Sequence, residues 1–410
     1  MNRNGGRIFY GWWIAGACFI IGFVVFGISV NTFTAYVKPI EGDLGWSRGK
    51  ISAGMSLGAL AMGASAPFIG RLIDRMGARA VMAAGGAGVG LSMILVSRAH
   101  SLPYFWLMYV LSGISQAGAT LIPISLVISN WFSAKRGTAL GLVMTGTGLG
   151  AMVMVPVTTE IIVRWNWRMS AFIMGCLIIL VSVPLNLIFI RTRPSDMGLL
   201  PDGGVVSHDA PLKIDGVTVS SAFKTPAFWL IGAMMLIFAL VAMGIGIHMM
   251  PYLTDIGHTE KLAARVVALI SGITVLGKIG MGFVADRWGI RKVVAFTCAT
   301  IIVGILLLTR ARDAGTAFIF AGVYGFAIGA PLVINPSLTA QCLGLAHFGA
   351  IFGILTLLST LGAATGAWLT GTIFDKAHSY MPAFVLYIVL TGAAVACGMM
   401  ARKEREAELE

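Results

Sequence analysis

Apolar runs long enough to cross a bilayer, about 20 residues each, recur along the whole of this 410-residue chain. No other feature narrows the fold as much. In hydrocarbon every backbone N–H and C=O must find its partner within the protein, which leaves helices and closed barrels as spanning structures. Twelve spanning helices are expected, at about 10–37, 51–72, 81–97, 103–129, 137–160, 169–190, 226–252, 263–285, 293–308, 317–339, 349–374 and 382–400. Composition agrees: the chain is 57% hydrophobic and 11% charged, with mean hydropathy +0.88, far more apolar than a soluble domain. Its 52 glycines suit helices that pack closely or bend in lipid.

The polar segments are short, with one exception. The stretch 191–224 holds Pro194, Pro201, Pro211, Gly203 and Gly204 and reads as a linker. The expected organisation is therefore a six-helix bundle at 1–190, a cytoplasmic linker at 191–224, a second bundle at 225–401 and a charged cytoplasmic tail at 402–410.

An internal repeat joins the two bundles. A constant offset of 212 pairs Gly70 with Gly282, Asp74 with Asp286, Arg75 with Arg287, Gly77 with Gly289 and Arg79 with Arg291. It also pairs Gly137 with Gly349, Gly141 with Gly353, Gly150 with Gly362, Ala171 with Ala383 and Phe172 with Phe384. Chance apolar similarity would not hold one register across charged turns and glycines, so two parallel, pseudo-symmetric halves are expected.

The net charge of +12 does not point to nucleic acid, because the basic residues sit at helix ends and in short loops. With the N-terminus inside, 17 of the 29 lysines and arginines, Arg3 and Arg7 among them, fall on the cytoplasmic side. That bias, with an even number of helices, puts both termini in the cytoplasm. Arg3 and Arg7 precede an apolar run that continues too far and lacks a small-residue cleavage site, so a retained helix is expected rather than a signal peptide. Five cysteines scattered among the apolar runs make no disulfide or metal framework. No cofactor and no metal are expected. HExxH and serine-nucleophile motifs are absent, which argues against an enzyme.

One residue breaks the apolar pattern. Lys278 lies well inside the run from Ile270 to the charged turn at Asp286, where a lysine costs roughly 2.5–3.5 kcal/mol to insert and is a functional candidate by default. Ser271, Thr274 and Lys278 fall at i, i+3 and i+7 and form one polar stripe. A snorkelling lysine reaching the headgroups is the plainer alternative. The offset of 212 places Ala66 at the equivalent position, so the shared architecture does not require the lysine.

GRLIDRMGAR, between the second and third helices, resembles the loop motif of the major facilitator superfamily, and GFVADRWGIRK repeats it in the second half. RIFYGWWI, DLGWSR, NWFSAKRGTALGLVMTGTGLG and RPSDMGLLPDG narrow the likeness to bacterial members of its monocarboxylate transporter and oxalate:formate antiporter branch. The resemblance implies an all-α polytopic protein of the inner membrane with twelve helices in two six-helix bundles. It further implies a secondary active transporter of small monocarboxylates such as lactate or pyruvate, proton-coupled and working by alternating access. An organic-anion exchanger of the oxalate/formate type is the alternative. In that branch a lone cation on the eighth helix holds the substrate carboxylate, and Lys278 occupies its place. The chain departs from the branch in carrying Thr274 four residues earlier and Asn31 on the first helix, and no lysine on the eleventh.

An ammonium in a low-dielectric, water-filled cavity attracts anions, and a carboxylate that neutralises it binds favourably. The expected substrate contacts are Lys278, Asn31, Gln116, Thr120, Thr145, Tyr324, Asn335 and Ser359, with Tyr36 a further polar candidate. Candidates for proton coupling are Lys278, His248 and Thr274. The gating motif comprises Gly70, Asp74, Arg75, Gly77 and Arg79, with Gly282, Asp286, Arg287, Gly289 and Arg291. Asp74 and Asp286 are expected near helix N-termini, paired with arginines as a latch. The partners are then a monocarboxylate anion, a proton and the bilayer, with the protein acting as a monomer.

Overall fold

The computed structural model describes residues 9–203 and 216–402. Arg3, Arg7, the middle of the expected linker and the tail beyond Arg402 lie outside the described residues. Among the described residues twelve helices are long and apolar enough to cross a membrane. They are α1 Tyr10–Leu44, α2 Gly49–Met76, α3 Ala78–Val96, α4 Leu102–Trp131, α5 Arg136–Arg164 and α6 Trp167–Phe189, followed by α7 Pro226–Asp255, α8 Lys261–Trp288, α9 Ile290–Thr309, α10 Ala314–Leu343, α11 Phe348–Ala377 and α12 Met381–Met400. The chain is a multi-pass membrane protein.

Most helices run a few residues past the apolar core, because helical bonding continues into the interface where charge is tolerated. The largest departure is α1, which extends to Leu44 where a loop was expected from Lys38. Pro39 is accommodated within it, and Gly45 ends it at φ 66° with its N–H on the carbonyl of Glu41.

Three spans are irregular inside. α1 passes through a π-helical stretch, Gly22–Asn31. Side chains take up carbonyls there: Ser29 Oγ donates to Val25 O at 2.7 Å, Thr32 Oγ1 to Ile28 O at 2.6 Å and Asn31 Nδ2 to Phe26 O at 3.3 Å. α4 breaks at Thr120 (φ −127°, ψ −103°), three residues before Pro123, which has no N–H to offer Ala119. α10 consists of Ala314–Ile328 and Pro331–Leu343.

The chain divides into two compact units, one of Met1–Asp215 with Phe348–Gly353, the other of Gly216–His347 with Ile354–Glu410. This differs from a division at the linker alone in placing the first turns of α11 with the first unit. In that unit α3 packs on α4 and α6, and α2 on α4. Glycines let the backbones meet: a Cβ on Gly85 would lie 2.7 Å from the amide nitrogen of Ala119, and one on Gly175 2.5 Å from the carbonyl of Gly90. One end is closed by an aromatic cluster in which Phe9 and Tyr10 lie 5.8 and 5.5 Å from the Trp131 ring, whose indole N–H bonds Arg191 O.

In the second unit α8 packs on α10, α9 on α10 and α12, and α7 on α12. Tyr252, Tyr380 and Phe384 cluster at one end, Tyr252 meeting Phe384 edge-on with centroids 5.0 Å apart while Tyr380 and Phe384 stack. Large apolar side chains such as Phe68, Phe283, Trp229 and Trp368 are exposed, as suits a chain whose spans meet lipid.

Candidate functional site

Lys278 lies some ten residues from the Trp288 end of α8, roughly 15 Å along the axis at 1.5 Å per residue. It is 5% exposed. Protein rather than lipid covers it, which is not the geometry of a snorkelling side chain. One wall of its surroundings comes from α10. Thr274, one turn before it, donates its hydroxyl to Ile270 O at 2.7 Å and also across to Gly325 O at 3.1 Å. Gly277 sits against the carbonyl of Phe326, and Gly329 against the backbone of Thr274 and Lys278. Thr274 and Lys278, expected from their spacing to share a face, are thus both seated on α10.

The other candidates of this unit scatter. Tyr324 is 2% exposed, stacks on Phe320 at 5.4 Å and lies over Gly304 of α9, with its hydroxyl lacking a hydrogen-bond partner. Asn335, beyond the break in α10, is buried with its Oδ1 likewise unsatisfied. Ser359 is half-buried on α11. His248 is tied down, since its Nε2 lies 3.1 Å from Ala367 O and its ring 5.7 Å from Tyr380.

In the first unit the π-helical stretch of α1 anchors a polar group. Gln116 Nε2 donates to Ser29 Oγ at 2.7 Å, and Asn31 Nδ2 reaches Thr147 O at 3.4 Å. Thr120 and Thr145 turn their hydroxyls onto their own helices, to Gln116 O at 3.1 Å and Leu142 O at 2.6 Å. Tyr36 bonds Ser170 Oγ at 3.1 Å and is fully buried. Ser29 and Thr147 escaped the sequence reading. A hydroxyl one helical turn from Val25 in an apolar run gives no signal of a cross-helix bond.

The glycine-spaced motif occupies the turns before α3 and α9. Gly77 and Gly289 adopt φ 82° and 84°, a conformation that favours glycine. Asp74 accepts from the first amides of α11, Gly349 N at 3.0 Å and Ala350 N at 2.8 Å, where a helix N-terminus stabilises a carboxylate. Arg79 bonds the carbonyl of Leu187 at the end of α6, and Arg291 bonds Ala401 O at the end of α12 at 2.7 Å. The turn before α3 carries an extra cap: Thr192 Oγ1 accepts from Ala78 N at 2.9 Å. Nothing lies within 4 Å of a Cβ built on Gly289.

Comparison with known proteins places this geometry. The chain is 28% identical to the MFS transporter asaE of Aspergillus flavus, over 83% of this chain and 75% of that one. It is 23% identical to monocarboxylate transporter 13 of Rattus norvegicus (94% and 88% covered) and 26% identical to monocarboxylate transporter 11 of Mus musculus (95% and 87%). Its fold matches the crystal structure of the major facilitator transporter FucP with a TM-score of 0.74 at 13% identity, covering 95% of this chain and 98% of that one. The model of the Major Facilitator Superfamily matches residues 18–367, including both copies of the glycine-spaced motif and the whole seat of Lys278, and the chain belongs to that superfamily of transporters.

Proposed function

We propose that this protein carries small monocarboxylates, of the lactate or pyruvate kind, across the bilayer by alternating access, and that Lys278 binds the carboxylate. The observation that carries the reading is a lysine at the middle of a spanning helix, covered by protein and wedged against the backbone of α10. Such a group is costly to keep in a membrane and attracts an anion strongly in low dielectric. Relatives named monocarboxylate transporters, which match over nine-tenths of the chain, support the substrate class. One fixed cation suits one carboxylate better than two.

Thr274 and Asn335 are proposed as polar neighbours in the second unit, together with Tyr324 and Ser359. Asn31, Gln116, Thr120 and Thr145 are proposed as contacts of the first. Coupling to protons runs through Lys278, because a buried ammonium holds its proton best when an anion is beside it. His248, bonded to Ala367 O, is better placed to brace α7 against α11. The bias of basic residues supports cytoplasmic termini.

Uptake of labelled lactate and pyruvate into proteoliposomes tests the reading. Lys278→Ala is expected to raise the half-saturating concentration or abolish uptake, since losing the partner of a buried charge costs about 2–5 kcal/mol, roughly 30-fold or more. Undiminished uptake by the variant would refute the assignment. Symport predicts that lactate entry alkalinises the medium outside, and electrogenic uptake with no proton movement would rule it out. Strong stimulation by internal substrate would identify an exchanger instead.

A further inference from the structure

α10 gives way where it meets Lys278. Pro331 has no N–H for the carbonyl of Ala327, which accepts from Ala330 N instead at 3.0 Å. Gly329, beside that break, faces the backbone of α8. A Cβ built on it would lie 2.5 Å from Thr274 O, 3.0 Å from Lys278 N and 3.2 Å from Lys278 Cγ. The first two neighbours are main-chain atoms that cannot swing aside. One turn earlier, Gly325 receives the Thr274 hydroxyl on its carbonyl, and its own Cβ would lie 3.0 Å from Ile270 O. Towards the start of α10 the approach relaxes: a Cβ on Gly322 meets only the end of the Ile273 side chain, at 3.9 Å. The close approach therefore runs from Ile270 to Lys278 and is tightest at the Thr274–Lys278 turn.

We infer that Gly329 is a positioning residue for Lys278. A lysine stem has four carbons and free rotation, so a loosely held one spreads its ammonium over many positions. With no side chain at 329, the main chain of α10 becomes a wall against Cγ of Lys278. That wall removes the rotamers on its side and aims the ammonium. The effect on transport rests on Lys278 being the carboxylate contact; the effect on the lysine itself does not.

Purified full-length protein in proteoliposomes tests both. The variants are Gly329→Ala and the control Gly322→Ala. Acetylation of Lys278 by N-hydroxysuccinimidyl acetate, followed by peptide mass spectrometry, reports the setting of the amine without reference to any substrate. Labelled lactate uptake reports KM and maximal rate. In Gly329→Ala the acetylation rate of Lys278 is expected to change severalfold while Gly322→Ala follows the parent. Lactate KM is expected to rise about tenfold or more with little change in maximal rate, as for a positioned group displaced by the order of 1 Å. A folded Gly329→Ala protein whose Lys278 is acetylated at the parent's rate would overturn the inference. Should that variant fail to accumulate, Thr274→Val loosens the same seat by removing the bond to Gly325, and parent-like acetylation there overturns it equally. Altered acetylation with unchanged lactate KM would uphold the seat and sink the carboxylate reading instead.

Discussion

Two helix pairs, one in each unit, share a plan and differ in chemistry. In the first unit Gly113 of α4 backs onto the carbonyl of Gly58 on α2; in the second, Gly325 of α10 backs onto that of Ile270 on α8. The offset of 212 relates Gly113 to Gly325 and Gly58 to Ile270. Both inner helices are interrupted shortly afterwards, α4 at Thr120 and α10 between Ile328 and Pro331. Yet where α8 and α10 place Thr274, Lys278 and Gly329, α2 and α4 place Met62, Ala66 and Ala117. Close backbone contact is thus a property of the scaffold, and the lysine is an addition that only one of the two pairs carries. Groups kept at a cost to stability and not needed for the fold are those that function retains.

Exchanging the two positions gives the largest effect. Ala66 is 1% exposed and its carbonyl meets Gly353, so no seat awaits a longer side chain there. Ala66→Lys is expected to destabilise the protein by roughly 2.5–3.5 kcal/mol, the cost of a lysine at a helix centre. Lys278→Met, nearly equal in volume, is expected to leave thermal unfolding in detergent unchanged or raise its midpoint, while transport is lost. If Lys278→Met unfolded as readily as Ala66→Lys, the lysine would be structural and the contrast between the pairs would disappear.

The same pairs show what a sequence discloses. Twelve spans, the repeated glycine-spaced motif and the exceptional lysine are legible because each is a departure from, or a recurrence in, local composition. The seat at Gly329 is not. A glycine in a span is common, and only the neighbouring helix reveals that it touches Lys278 rather than open space, as Gly246 and Gly272 do. The π-helical stretch of α1 is equally hidden, since Gly22–Asn31 differs from its surroundings in backbone bonding and hardly in composition. Polar residues in spans divide along the same line. Thr120, Thr145 and Tyr36 looked alike as candidates, but two satisfy their own helices and the third bonds Ser170. Hydroxyls one turn from a free carbonyl take the nearest acceptor, and sequence spacing does not show which carbonyl that will be.

A smaller difference separates the two glycine contacts. A Cβ on Gly113 would overlap the Gly58 carbonyl, whereas one on Gly325 would stand 3.0 Å from Ile270 O. Gly113→Ala should therefore force α2 and α4 apart and cost about 1–3 kcal/mol, in the range of overpacked cores, with Gly325→Ala near the lower end or below it. Thermal unfolding of the two variants side by side measures the gap. Equal losses would mean that the helices yield equally and that α2 and α4 are no more tightly joined than α8 and α10.

The subtlest contrast lies at the starts of α4 and α10, where the offset pairs Ser101 with Asp313. Ser101 precedes α4 and accepts from Phe105 N through its backbone carbonyl at 3.1 Å, but its side chain makes no cap bond, and Pro103 removes one of the amides it would cap. Asp313 caps α10 fully, accepting from Thr316 N at 2.9 Å and Thr316 Oγ1 at 2.6 Å. Those two bonds from Thr316 hold its carboxyl below the usual carboxylate range. A depressed folded pKa gives stability that is present above the unfolded value of about 3.9 and is lost as pH falls through the folded one. Amide exchange in the first turn of α10, corrected for intrinsic rates, is expected to be faster in Asp313→Ala than in the parent at pH 7. The two should converge as the parent is acidified below the unfolded carboxylate pKa. The first turn of α4, with no titrating cap, should give the same corrected exchange in both proteins throughout. Equal protection of α10 in parent and variant at pH 7 would show that the aspartate caps the helix without holding it, and that the two starts are alike after all.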